Sequence, residues 1–339
     1  RLAIIDLEHG QQPMVSMDER YTLIFNGEIY NYLELRDELQ REGVEFKTDS
    51  DTEVLLGILM QYGEKALTKL NGMFAFVFHD RKQNQWIAAR DPFGIKPLYF
   101  AHVGDQLIFA SEIKAILAHP GVLAHRNDKA LHQYLSFQLS LDDQTLFEGI
   151  NKVMPGHYFL GVGHEIKQKS VYWDTTYAIN SNLNEDSLLK EIRSTLEDSI
   201  RLQLRSDVPL GAHLSGGLDS SLVSIIASKQ SGEAVSFFHG KFREDISYDE
   251  SRYARIVAEE TKGNLHEITP SAEDFVRELP KLIYALDEPV AGPGLFPQHA
   301  VSKLAKEHTK VVLGGQGGDE IFGGYARYLV GYLEQALKG

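Results

Sequence analysis

The sequence contains no cysteine. That excludes a disulfide scaffold, a thiolate zinc site and a cysteine nucleophile within these 339 residues. Positive charge is also scarce: 34 basic residues stand against 48 acidic ones, for a net charge of −14. An acidic surface repels phosphate backbones, so nucleic acid is not an expected partner, although a local site for one nucleotide is compatible with that charge. No apolar run reaches the ~18 residues that span a bilayer, and no signal-peptide pattern opens the sequence. No membrane contact and a cytoplasmic location are therefore expected. Internal repeats and low-complexity tracts are missing too.

The rest of the composition is that of a globular protein, with 43% apolar and 24% charged residues. The length predicts roughly two domains of about 150 residues each. Residue 1 is Arg1, and it leads straight into Leu2-Ala3-Ile4-Ile5, an expected strand. Tyr325 to Gly339 has the pattern of a helix that opens without a stop signal. Both ends thus suggest a fragment of a longer chain.

The first part is rich in short strands. Tyr21 to Phe25 is a β-branched and aromatic run ending at Asn26-Gly27, a turn signal. Tyr32, Leu35 and Leu39 share a helical face, as do Val54, Leu55, Ile58, Leu59 and Tyr62. Ser50-Asp51-Thr52-Glu53 supplies a capping box for the second helix. Strands are predicted at Met73 to Phe78, Gln85 to Arg90, Pro97 to Phe100 and Leu107 to Ala110. Short strands joined by tight turns indicate an antiparallel sheet covered by helices. After a polar stretch the pattern changes. Leu188, Leu189, Ile192, Leu196 and Ile200 mark a helix of roughly four turns. Strands at Val208 to Leu214, Ala234 to Phe238, Leu265 to Ile268 and Val311 to Leu313 then alternate with helices after Asp219, around Tyr253 to Val257 and from Phe296 to His308. Helical crossovers of that length imply a parallel sheet. The expected organisation is a first domain over 1–165, a last strand and linker over 166–186, and a second domain over 187–339.

Two Gly-rich stretches carry chemistry. Ser215-Gly216-Gly217-Leu218-Asp219-Ser220-Ser221 follows a predicted strand and opens a helix. Glycines let backbone approach a phosphate, free N–H groups at a helix start bind anions, and an aspartate can ligate magnesium. The bland alternative is a glycine turn with a hydroxyl cap. No Gly-Lys-Ser/Thr follows, so this is not a Walker loop. It resembles the PP-loop of ATP pyrophosphatases, which cleave ATP between the α- and β-phosphates and adenylate an oxygen. Gly314-Gly315-Gln316-Gly317-Gly318-Asp319-Glu320 follows the last predicted strand. At the carboxyl end of a strand in the same sheet it would face the same crevice. No histidine pair has zinc-site spacing, and His213, ending a buried strand, is expected to be a satisfied core histidine. Asp287-Glu288-Pro289 fits either a contact to an acceptor substrate or an acidic helix end before proline.

The chain resembles the glutamine-dependent asparagine synthetase family. The resemblance rests on Asn26-Gly27-Glu28-Ile29-Tyr30-Asn31, Gly72-Met73-Phe74-Ala75-Phe76, Arg90-Asp91-Pro92-Phe93-Gly94-Ile95-Lys96-Pro97-Leu98-Tyr99, Ser111-Glu112-Ile113-Lys114-Ala115, and the two Gly-rich stretches, the second continuing through Phe322-Gly323-Gly324-Tyr325. It implies an α+β antiparallel sandwich of the N-terminal-nucleophile type that hydrolyses glutamine, followed by an α/β PP-loop domain. There ATP and aspartate would give an acyl-adenylate and pyrophosphate, and ammonia would displace AMP. ATP and Mg2+ are the implied cofactors; glutamine, aspartate and ATP are the implied partners, with a homodimer left open. By this resemblance Arg1, Glu28 and Asp51 hold glutamine, and Asn26 and Gly27 form its oxyanion hole. Leu214 and His239 line the adenine or ribose. Ser215, Gly216, Gly217, Asp219 and Ser220 hold the pyrophosphate, and Gly314 and Gly315 lie beside the nucleotide. Asp219 and Asp319 are the metal-binding acids. Three departures stand out. The family's nucleophilic cysteine would lie upstream of Arg1, and an adenylation-site lysine would lie past Gly339. Gln316 occupies the position of a family glutamate. The Gln316 departure and Ala291-Gly292-Pro293-Gly294 keep two relatives of the reaction open: another carboxylate acceptor such as an envelope sugar acid, or cyclisation of a β-amino acid. Nucleotide binding without turnover is the rival from another class.

Overall fold

The computed structural model describes residues 4–178, 184–241, 249–290, 292 and 294–338. The chain divides into two compact units, one formed by Arg1–Leu183 with Pro280–Gly292 and the other by Asn184–Leu279 with Pro293–Gly339.

The first unit contains β1 (Met14–Val15), β2 (Tyr21–Ile29), α1 (Tyr32–Arg41), α2 (Asp51–Tyr62), β3 (Gly72–Asp80), β4 (Gln85–Arg90), β5 (Tyr99–Val103), β6 (Gln106–Ala110), α3 (Ile113–Leu117), α4 (Asp128–Phe137), β7 (Ile150–Lys152), β8 (His157–Val162) and β9 (Glu165–Val171). Strands β1-β2-β3-β4-β8-β9 form one sheet and β6-β5-β7 another, and every pairing is antiparallel. Alternation along β3 explains the layering. Phe74, Phe76 and Phe78 pack with Leu35 and Leu39 of α1 and Leu55, Ile58 and Leu59 of α2. Ala75, on the other face, packs with Trp86, Phe159 and Phe100, which joins the two sheets. Ile113 and Ile116 of α3 cover Ala101 and Ile150 on the outer side of the second sheet. The result is helix, sheet, sheet, helix: the expected antiparallel α+β sandwich.

The second unit contains α5 (Glu185–Gln203), β10 (Leu210–His213), α6 (Leu218–Ser231), β11 (Ser236–Gly240), α7 (Ser251–Thr261), β12 (Asn264–Ile268), most of α8 (Ala272–Leu286), α9 (Leu295–Ala305), β13 (Val311–Leu313), α10 (Gly318–Phe322) and α11 (Ala326–Lys338). Its sheet is parallel throughout, in the order β12-β11-β10-β13. Ala212, Leu214 and Phe237 pack on one face against Ile226 of α6 and Ala254 and Val257 of α7. Val301 of α9 lies on the other face, next to Gly240. The chain winds from β10 outward to β12, then returns to place β13 on β10's other side, so β10 lies at the switch point of this α/β sheet.

Several local expectations need correction. Ile4 and Ile5 are not a strand: both are buried side by side, against a strand's alternation, and the chain turns at Asp6 with φ 45°. Leu2 and Ala3 lie outside the described residues. Asn26-Gly27 is not a turn but the middle of β2. Ser50 does cap α2, accepting from Glu53 N at 3.2 Å, but Glu53 accepts from Lys47 and Thr48 N–H instead of closing the box. Strand β10 starts only at Leu210, because Pro209 before it has no N–H to give a ladder. Helix α8, which is amphipathic and carries Pro280 in its interior, is not among the expected elements. Among the described residues no helix is long and apolar enough to cross a membrane.

Candidate functional site

In the first unit the predicted residues gather at one edge of the large sheet. Asn26, Gly27 and Glu28 are consecutive on β2, and Asp51 is the first residue of α2. Phe25 N–H donates to Gln12 Oε1 at 2.7 Å, and Ile29 N–H to Asp51 Oδ2 at 3.0 Å. Strand alternation aims the Gly27 N–H at the same edge, between those two bonded neighbours. Gly27 is required by crowding: a methyl group there would collide with Met73 O and come within 2.7 Å of Phe74 Cα. A glycine can therefore be the tightest point of a strand as well as a turn. Asn26 Nδ2 donates to Ser111 Oγ at 3.2 Å.

Glu28 and Asp51 are only 3% and 7% exposed. Among the described residues, Glu28 Oε1 is buried without a hydrogen-bond partner. Burial, reinforced by the charge of Asp51, pushes the Glu28 carboxyl up to about 8, and Lys96 opposes the shift. Burial likewise pushes Asp51 up to about 6, against the N–H groups of Ile29 and Thr52. Two crowded carboxylates with an unsatisfied oxygen form a site for a cation with N–H donors. Arg1, predicted to join this set, lies outside the described residues.

Asp91, in the stretch from Arg90 to Tyr99, is not among the expected site residues. It is fully buried and accepts N–H bonds from Phe74, Phe93, Ile95 and Lys96 at 2.9–3.2 Å. It thus fixes the turn that carries Lys96 and the strand opposite Gly27. An aspartate before Pro-Phe-Gly is a turn signal that would have singled it out. Asp287 and Glu288 belong to this unit and already hold partners within it. Asp287 accepts from Ile113 N–H at 2.6 Å and Lys114 N–H at 3.3 Å, and pairs with Lys114 Nζ at 2.9 Å. Glu288 Oε1 accepts from Leu146 N–H at 2.5 Å. A larger cavity of about 830 Å³ in this unit is lined by Met14, Met17, Phe46 and Met60, and none of the predicted site residues line it.

In the second unit the two Gly-rich stretches leave adjacent strands side by side. Ala212 of β10 pairs with Leu313 of β13, so Ser215 and Gly315 emerge together at the carboxyl edge. The contact is close: a methyl group on Gly315 would lie 2.6 Å from Ser220 N, at the first turn of α6. A methyl group on Gly318 would strike the Asp219 carboxylate. Ser215 Oγ and Ser220 Oγ are 2.8 Å apart, and Ser215 Oγ accepts from Gly217 N–H at 3.2 Å, which ties the loop into a closed turn. Gly216 rests on the backbone of Glu250. Among the described residues the Asp219 carboxylate has no hydrogen-bond or ion-pair partner. The two stretches line a cavity of about 590 Å³ with His213, Asp219, Gln316, Asp319, Glu320 and Tyr325 among its walls. Gln316 is exposed and folds its amide over Gly314. Glu320 accepts from Tyr325 OH at 3.0 Å.

Leu214 and His239 are not among the residues lining that cavity. Leu214 is fully buried in the core. His239 is 2% exposed, with Nδ1 donating to Leu214 O at 2.8 Å and Nε2 lying 3.0 Å from Ser251 Oγ. Ser251 in turn bonds Asp249. The pair therefore braces the strand end from which the loop departs. His213 also differs from expectation. It is not a satisfied core histidine: neither ring nitrogen has a partner among the described residues, and Nε2 is buried. Burial lowers its basicity.

Each unit matches a known family. The glutamine amidotransferase domain family matches residues 1–173, and the asparagine synthase family matches 191–338. Asparagine synthetase [glutamine-hydrolyzing] 1 of Bacillus subtilis is 41% identical over 336 residues, 97% of this chain and 51% of that protein. A putative asparagine synthetase [glutamine-hydrolyzing] of Mycobacterium bovis is 37% identical over 340 residues, 97% of this chain and 52% of that protein. Putative asparagine synthetase [glutamine-hydrolyzing] 2 of Methanocaldococcus jannaschii is 33% identical over 357 residues, all of this chain and 68% of that protein. The chain spans about half the length of the first two.

Proposed function

Because the chain belongs to the glutamine-hydrolysing asparagine synthetase family, we propose that the intact protein is a ligase that makes asparagine from aspartate, ATP and glutamine. The reaction runs through an acyl-adenylate and releases AMP, pyrophosphate and glutamate. The observation that carries this reading is the meeting of the two Gly-rich loops around Asp219 at the carboxyl edge of β10 and β13. First-turn N–H groups of α6 and the Gly216 N–H offer donors to phosphate oxygens. Gly315 lets the second stretch pack directly on the first turn of α6, which brings both loops to one cavity.

Magnesium fits the donor set. Among the described residues no group of three or more histidines or acids could cage a metal. Asp219 and Asp319 nonetheless line one cavity, and magnesium is held by one or two carboxylates plus substrate phosphates. When bound it would neutralise the charge developing on the phosphates. Asp219 supplies an unpaired carboxylate for it, and Asp319 the second.

In the first unit, Glu28 and Asp51 receive the ammonium group of glutamine, and Arg1 its carboxylate. Asn26 and the edge-facing Gly27 N–H stabilise the oxyanion when the carboxamide is attacked. Consumption of ATP supports a cytoplasmic setting. Gln316 favours one second reading: the same chemistry on another carboxylate, which a neutral amide would recognise by hydrogen bonds. The test supplies intact protein with ATP, magnesium, ammonia and a panel of acids, and follows pyrophosphate. Aspartate is expected to trigger its release. Release only with a sugar acid would replace the first reading with the second.

A further inference from the structure

We propose that His213 is the base that takes the proton from ammonia as the amide bond forms. The inference rests on the synthetase reading above and adds to it a residue for the last chemical step.

Three observations lead to it. His213 is the last residue of β10, immediately before the phosphate-loop serine, and it lines the cavity shared by Asp219, Gln316 and Asp319. Its neighbours Ala212 and Leu214 point into the core, so alternation turns its ring to the opposite face of the sheet. Its ring nitrogens are unpartnered among the described residues, and Nε2 is buried. A buried polar atom without a partner is rare in a folded protein and points to a group that arrives later.

The other walls of the cavity narrow the choice. Gln316 is a neutral amide and cannot accept the proton. Asp219 and Asp319 are the acids placed for the metal. Glu320 is exposed and already accepts from Tyr325 OH. Burial alone lowers the His213 pKa, with no charged group contributing. The imidazole is therefore neutral at pH 7, with a lone pair available.

The ammonia nitrogen bonds to the acyl carbon, and the carbonyl pair moves onto oxygen. One N–H proton passes to a ring nitrogen of His213. The carbonyl reforms, the bond from acyl carbon to phosphate oxygen breaks, and AMP leaves with that pair. The imidazolium then returns its proton to water.

The test compares intact wild-type protein with His213→Asn, using ammonium chloride in place of glutamine. Adenylation is followed by exchange of labelled pyrophosphate into ATP in the presence of aspartate, and the second half by asparagine formation across pH. In the variant, exchange should stay within about threefold of wild type. Asparagine kcat should fall by about 100-fold or more, the usual contribution of a general base, with KM for aspartate little changed. The acid limb of the kcat profile should vanish, and added imidazole should restore part of the rate. Amide formation within threefold of wild type would overturn the assignment. So would parallel loss of exchange and amide formation, which would mean that His213 serves adenylation or folding. If wild-type protein exchanges pyrophosphate with no acid at all, the synthetase reading falls and takes this one with it. An active wild type with an equally active variant removes His213 alone.

Discussion

The two units solve the problem of holding charge in opposite ways. In the first, the groups proposed to hold a ligand are inside: Glu28 and Asp51 are buried between strand and helix, and both carboxyls are pushed up by loss of water. In the second, Asp219, Gln316 and Asp319 stand at loop ends on the rim of a parallel sheet, part-exposed or exposed. The first site carries its electrostatic cost before any ligand arrives and recovers it when a cation binds. The second leaves its acids apart and lets a ligand's own charges complete the site. Architecture sets the difference. An antiparallel sandwich closed on both faces forces polar site residues into its interior, whereas strand ends of a parallel sheet open into solvent at the switch point.

If this contrast holds, substitutions should divide by unit into those that cost function and those that cost stability. The largest effect is expected for Asp219→Asn. Its carboxylate has no partner among the described residues, so apo stability should move by no more than ~0.5 kcal/mol, as for surface changes. Aspartate-dependent pyrophosphate exchange should fall at least about 100-fold, because a metal ligand becomes neutral. A large loss of melting temperature with exchange retained would break the comparison.

Gly27→Ala should behave the other way. The added methyl group meets backbone atoms of Met73 and Phe74, which cannot swing aside. Overpacking of this kind costs about 1–3 kcal/mol. Denaturation of the intact protein should show that loss, and glutamine-dependent turnover should fall while ammonia-dependent turnover persists. Unchanged stability would show that β2 and β3 separate more readily than their packing implies.

Glu28→Gln sharpens the contrast through its sign. The folded carboxyl titrates near 8 and the unfolded one near 4.5. The folded state therefore binds the extra proton, and the stability this group contributes is present below pH 4.5 and lost as pH rises to about 8. Glutamine cannot ionise, so the variant should match wild type at low pH and exceed it by about 4 kcal/mol near pH 8. Glutamine-dependent activity should fall at the same time. Denaturant titrations at several pH values check the slope, and parallel curves for the two proteins would contradict it.

How much of this is legible in sequence depends on how local the cause is. The ends of β4 and β13 coincide with the expected runs, because alternation and flanking turn residues are local. The Ser215 to Ser221 stretch is legible for the same reason: strand, glycines, acid and helix stand in one line. Asn26-Gly27 misleads because the same dipeptide suits a turn and a pinched strand, and only the presence of Phe74 decides between them. Asp287 bonds Ile113 and Lys114 across more than 170 residues, beyond the reach of any local pattern. His213 is hidden differently. Its place at the end of a buried strand predicts a satisfied ring, and only the neighbouring loops show that nothing among the described residues satisfies it.

The smallest effect is expected at Gln316, where the resemblance implies a glutamate and where the open design of the second site should be most forgiving. Its side chain is exposed and lies over Gly314, so a carboxylate of the same shape fits without repacking. The new charge would face Asp219, Asp319 and Glu320 across the cavity. At a solvated rim such repulsion is screened, and exposed pairs are worth less than about 1 kcal/mol. Bound magnesium would reduce it further. If His213 is the base, a carboxylate at 316 adds a second proton acceptor to a step that already has one. Gln316→Glu should then leave ammonia-dependent asparagine formation within about threefold of wild type, a difference of ~0.7 kcal/mol. In a His213→Asn background the same substitution should raise the rate clearly, because the introduced carboxylate takes over the missing role. Steady-state assays of the two single variants and the double variant read this coupling directly. Equal effects of Gln316→Glu in both backgrounds would mean that the two residues serve separate steps. A loss above 100-fold in the single variant would mean that Gln316 reads the acceptor by hydrogen bonds, and the second reading of the substrate would then take precedence.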